Sequence, residues 1–108
     1  MTDEIIKKFD EIDKLYTESK NRLRGAKDTY EFVKAKERVK IRTRFTVEGK
    51  KFTIQEIEDA LTIEQADLKS ELGKAFLDYT IALAQKEVLF TERKAWERRY
   101  WDSKGLLT

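Results

Sequence analysis

Apolar residues along the first third of the chain recur in alternating steps of four and three. Ile5, Phe9, Ile12, Tyr16, Ser19, Leu23, Ala26, Tyr30 and Val33 form a heptad seam, and charged residues fill the other faces. The spacing predicts a helix from about Thr2 to Lys36. Thr2 is the expected N-cap, and Asp3 and Glu4 complement the helix dipole in the first turn. Gly25 sits inside this helix at a cost of about 1 kcal/mol relative to Ala.

From Arg38 the period changes to two. Arg38, Lys40, Arg42 and Arg44 fall on one parity; Val39, Ile41, Thr43, Phe45 and Val47 fall on the other. Alternation of cations with β-branched and aromatic residues predicts a half-buried strand. Glu48-Gly49-Lys50-Lys51 supplies a turn, and Phe52-Thr53-Ile54 a short return strand. The expectation is a small basic β-hairpin over about 38–54. Its cations would lie about 6.8 Å apart on one face, close to the phosphate spacing of an extended single strand. The other account of the same cations is an edge strand blunted against edge-to-edge pairing.

Two capping boxes follow: Thr53-Ile54-Gln55-Glu56, opening a short helix to about Leu61, and Thr62-Ile63-Glu64-Gln65, opening a long one. The long helix is expected from about Ile63 to Lys104, with Gly105 as the residue beyond its end. Its seam holds Leu68, Leu72, Ala75, Tyr79, Ala82, Leu89, Trp96 and Tyr100, interrupted by Lys86 and Arg93. Further apolar stripes, Phe76, Leu83 and Phe90 and then Ile81, Val88 and Ala95, exceed what one partner helix covers. They predict self-association, with Phe76, Leu83, Phe90, Ile81 and Val88 at the interface. The fold class is mainly α: one domain over residues 1–108, with an antiparallel coiled-coil-like pair of long helices joined by the β-hairpin and the short helix. In that pairing Gly25 would face Gly73 and let the backbones approach closely.

Charge sharpens this picture. The net charge is only +2, but residues 32–53 carry 8 basic and 2 acidic groups, residues 54–92 carry 3 and 9, and residues 93–108 carry 5 and 2. Two basic regions flanking an acidic one point to a polyanionic partner, and the acidic block is also able to dock on a basic region of a neighbouring chain. In the last segment Arg98, Arg99 and Trp101 interleave cations with an aromatic that lies off the seam, a candidate for stacking on a base. The candidate nucleic-acid-binding set is Arg38, Lys40, Arg42, Arg44, Lys50, Lys51, Arg98, Arg99 and Trp101.

Several chemistries find no residues. The chain has no Cys and no His, and it lacks the nucleotide-binding glycine loops. The pairs Asp67–Glu71 and Glu87–Glu92 read as solvated surface charges. No enzymatic activity, metal or cofactor is expected. Without a run of about 18 apolar residues or a signal-peptide core, a cytoplasmic protein without membrane contact is expected.

The segment Val39-Lys40-Ile41-Arg42-Thr43-Arg44-Phe45, followed by the glycine turn and Phe52-Thr53-Ile54-Gln55-Glu56-Ile57, resembles the small phage recombination mediators of the UvsY type. The resemblance implies binding of single-stranded DNA, with Arg42 and Arg44 at the family's two basic DNA positions. It further implies loading of a RecA-like recombinase onto strands coated with single-strand-binding protein, a homo-oligomer, and action in the host cytoplasm. The alternative is a helical protein-interaction or regulatory module, such as a phage inhibitor of a host protein, with no nucleic-acid role.

Overall fold

A computed structural model describes residues 2–105. Among them are three helices: α1 (Thr2–Val47), α2 (Ile54–Ala66) and α3 (Glu71–Ser103). The mainly α class holds, but the β-hairpin does not form: no strand occurs among the described residues. Capping by the Thr2 side chain lies outside what the structure describes.

The reason lies in a spacing of four. Val33, Glu37, Ile41 and Phe45 lie on one face of a helix, and four residues also span two strand periods. In the structure Val33, Glu37 and Ile41 are buried and Phe45 is half-buried, so the helical seam continues to the end of α1. Val39, of the same parity as Ile41, is 63% exposed, whereas Ile41 is 3% exposed. A strand would have put both on one side.

Gly49 ends α1 rather than turning a hairpin. Its φ of +70° is left-handed, its N–H donates to Thr46 O at 3.1 Å, and Lys50 N–H donates to Phe45 O at 3.0 Å. These two bonds form a Schellman C-cap. Phe45 and Phe52 then meet with ring centroids 5.7 Å apart and close the apolar contact beneath it.

Thr53 caps α2 as expected: its Oγ1 accepts from Glu56 N–H at 3.2 Å. The second expected cap does not form. Thr62 lies inside α2, where its hydroxyl donates to Glu58 O at 2.9 Å, and α2 continues to Ala66. The break falls at Asp67–Ser70. Ser70 Oγ accepts from Gly73 N–H at 2.8 Å and so caps α3, while Ser70 N–H donates to Asp67 O at 3.0 Å. α3 therefore starts at Glu71, not near Ile63. At its other end Gly105, with φ +69°, donates to Asp102 O as the residue beyond the helix.

The chain divides into two compact units. In one, Gly25–Thr80, α1, α2 and the start of α3 enclose a core of Val33, Ile41, Ile57, Leu61, Leu72 and Ala75. The aromatic ring of Tyr30 packs on Phe76 and Tyr79, and its hydroxyl donates to Gln65. In the other, Met1–Arg24 with Ile81–Thr108, α1 and α3 pack antiparallel: Phe9 meets Tyr100, Tyr16 meets Phe90, and Arg22 meets Gln85. Ile12, Ser19 and Ala82 are buried there.

The expected Gly25–Gly73 contact is not made. A Cβ at Gly25 would meet nothing within 4 Å, whereas one at Gly73 would come within 1.9 Å of Asp67 O. Gly73 is therefore required by the α2–α3 turn.

Two comparisons test these assignments by denaturant unfolding. Ile41→Ala should cost about 2–4 kcal/mol by emptying a core position, and Val39→Ala less than about 0.5 kcal/mol; equal losses would restore the strand parity. Gly25→Ala should stabilise by about 1 kcal/mol through helix propensity, while Gly73→Ala should destabilise.

Candidate nucleic-acid interface

Because α1 is a helix, each two-residue step rotates a side chain by about 200°. Arg38 and Arg42 therefore share one side of α1, and Lys40 and Arg44 share the opposite side. The row of four cations at strand spacing does not exist.

Carboxylates have taken up part of the set. Arg38 Nη2 lies 2.9 Å from Glu58 Oε1 on α2, Lys40 Nζ 3.2 Å from Glu37 Oε1, and Lys50 Nζ 3.7 Å from Glu48 Oε2. Arg42, Arg44 and Lys51 are exposed and form no ion pair among the described residues. Arg44 lies over the Phe45 ring at 5.5 Å. Arg42 borders two adjoining grooves. One, of about 420 Å³, is walled by Val39, Thr43, Val47 and Phe52; the other, of about 280 Å³, by Phe52, Ile54, Ile57 and Glu58. Cation and apolar wall stand side by side there, an arrangement suited to a flexible ligand with both charged and apolar parts.

Arg98, Arg99 and Trp101 belong to the other unit. Arg99 stacks over Trp96 at 4.5 Å, and Trp101 meets Tyr100 edge-on. The expected interface residues also divide. Phe76 and Leu83 are half-buried, and Phe90 packs on Tyr16 while remaining partly exposed. Ile81 and Val88 are exposed, at 47% and 58%.

Two charged arrangements escaped the sequence reading. Arg93, which interrupts the α3 seam, sits 5.3 Å from the Phe9 ring centre and 5.8 Å from that of Tyr16. It donates to Asp13 Oδ1 at 2.7 Å and contacts Glu97 at 3.4 Å. The Asp13 hydrogen bond holds its pKa above the usual arginine value. The second arrangement is a pair of carboxyls, Glu37 on α1 and Glu64 on α2. Burial raises the Glu64 pKa, the adjacent Glu37 raises it further, and Lys40 and Arg44 oppose the shift. The signal for Glu37 was its place four residues from both Val33 and Ile41. Conversely, the hydrogen bond from Lys36 at 2.9 Å lowers the pKa of Glu71.

Among the described residues no group of three or more His, Cys, Asp or Glu is placed to hold a metal ion. No described helix is long and apolar enough to cross a membrane. No protein-family model, curated protein or solved structure matches the chain.

The Glu64 carboxyl gives a pH test. A raised folded-state pKa means that the folded chain holds this proton more tightly than the unfolded chain, so ionisation costs stability above that pKa. The cost is relieved as pH falls through the folded value toward the ordinary glutamate range. Glu64→Gln should therefore be more stable than the parent at neutral pH, with the difference shrinking as pH falls. Denaturant unfolding across pH checks this; a constant difference would refute the pairing with Glu37.

Proposed function

We propose that the chain is a non-enzymatic binding protein that grips single-stranded DNA by its phosphates at the cationic end of α1. The observation behind this is that Arg42, Arg44 and Lys51 stand exposed without a carboxylate partner among the described residues, in the segment richest in basic groups. Arg42 and Arg44 lie on different sides of one helix. A flexible strand is able to bend around that helix and meet both. Phosphate contacts of this kind carry no base sequence information. Arg38, Lys40 and Lys50 join at small cost, because partly exposed ion pairs contribute only about 0–1 kcal/mol.

In this reading the protein is a recombination or replication accessory, acting in the cytoplasm of a host if phage-encoded. It helps a RecA-like recombinase displace single-strand-binding protein, and it works as a homo-oligomer. That part comes from the resemblance at Val39–Phe45. With the hairpin absent, the DNA contact rests on the exposed cations alone.

A second reading also has an observation behind it. Val39 is 63% exposed and Val47 81% exposed, and both wall the groove that Arg42 borders. Apolar side chains beside unpaired arginines also suit an acidic protein surface, as in a regulatory module without a nucleic-acid role.

Titration of a labelled single-stranded oligonucleotide against salt separates the two. Affinity should fall steeply with salt, and Arg42→Glu with Arg44→Glu should lower it while reducing the slope of log affinity against log salt by about 1.4, or about 0.7 per phosphate contact. Helix content should not change. Absence of binding at low salt would remove the DNA reading and leave the protein-docking one.

A further inference from the structure

The two grooves beside Arg42 lie within one unit, Gly25–Thr80. Three elements build them: the last turns of α1, the connector that carries Phe52, and the first turns of α2. Arg42 and Phe52 line both grooves and so form the wall between them. The order across the site is apolar groove, cation, apolar groove. Val39 and Val47 stand exposed in the first groove, and Ile54, 81% exposed, in the second. The Phe52 ring is half-buried and backed by Phe45, so its place is set before any ligand arrives.

The polar groups of the site are mostly committed. Thr43 and Thr46 donate their hydroxyl protons to Val39 O at 2.9 Å and Arg42 O at 2.8 Å. Arg38 and Glu58, at the rim of the second groove, neutralise each other at 2.9 Å. Arg42 is the one charged lining residue that forms no ion pair among the described residues. The matching ligand carries a negative charge between two apolar groups. A nucleic-acid strand has that order, since a phosphate separates each base from the next. Unpaired bases offer their faces to aromatic and apolar walls, whereas a duplex would first have to unstack them. An amphipathic helix of a partner protein lays its anchors along one continuous groove, and here Arg42 and Phe52 divide the groove in two.

We propose that these grooves are base sites: the phosphate held by Arg42 places one flanking base against Val39, Val47 and Phe52 and the next against Phe52 and Ile54. The inference rests on the phosphate grip proposed above and adds what that grip lacks, a contact that only unpaired bases make. With the threonine donors spent, the first groove accepts a base by its faces and not by its identity.

Fluorescence anisotropy with the full chain compares two labelled strands of equal length and charge: a natural single strand, and an abasic strand that keeps only sugar and phosphate. The natural strand should bind at least about fivefold more tightly, the effect of one stacked base. Val39→Ser with Val47→Ser should weaken the natural strand by about threefold or more. That variant should leave the abasic strand, the helix content and the salt slope as in the parent, because apolar contacts release no counterions. Phe52→Ala should weaken the natural strand further; if it disturbs the fold, the serine pair decides, since both its sites are exposed. Equal affinity for the two strands overturns the base sites and leaves the phosphate grip standing, as does a serine pair that weakens both strands alike. Binding of neither strand at low salt overturns the grip and the base sites together and leaves the grooves to a protein partner.

Discussion

The Gly25–Thr80 unit depends on α1 remaining helical through Val47. Ile41 reaches the core with Ile57, Leu61 and Leu72 only because three more turns of helix follow the point where the heptad pattern fades. A helix ending at Lys36 would leave α2 with half a surface to pack on. Burying a side chain of this size contributes roughly 1.5–3 kcal/mol, against a whole-domain stability of only about 5–15 kcal/mol. The Schellman cap at Gly49 secures the end of that helix, and the Phe45–Phe52 contact turns the chain back toward α2. Local geometry and core packing thus meet in the same few residues.

The same residues explain what was legible in the sequence. Helix existence was clear wherever the apolar steps alternated between three and four, as in Ile5–Val33 and Leu72–Tyr100. It failed at 38–47, where four-residue steps satisfy both periods and the intervening cations imitate the polar face of a strand. No local propensity breaks that tie: Val, Ile, Thr and Phe are tolerated in helices when a partner buries the correct face. Capping chemistry was half legible. Thr53 and Thr62 carry similar motifs, but only Thr53 follows a helix already ended, at the left-handed Gly49. Thr62 is preceded by Ile57 and Leu61, which keep α2 buried and helical. The cap that was missed, Ser70, has Gly73 rather than Glu or Gln three residues on, so it lacks the reciprocal half of the motif.

Of the candidate site, the identity of the basic segment was legible and its geometry was not. Charge counts place cations along the chain, but pairing depends on which helix face meets which. Arg38 found Glu58 because α2 returns along α1, and this return is a consequence of the helix at 38–47. A strand would have sent the arginines elsewhere. Four of the eight cations of residues 32–53, Lys36, Arg38, Lys40 and Lys50, are therefore paired with carboxylates, and Arg42, Arg44 and Lys51 are among those left to act outward.

The two-helix unit meets a different constraint. A pair of helices has no third element to close a core, and few of its residues are fully buried. Its inward seam instead carries Arg93 between the rings of Phe9 and Tyr16, paired with Asp13 and Glu97. Each contact is modest on its own: cation–π attraction is about 0.5–1 kcal/mol when exposed. Together they tie one α3 position to one stretch of α1, because a shift by a turn would separate the guanidinium from Asp13 and from both rings. An aliphatic side chain at that position would pack in several registers. The interruption that made the seam look imperfect in the sequence is thus the feature that sets its alignment, and the fixed alignment leaves Ile81, Val88 and their neighbours facing outward together.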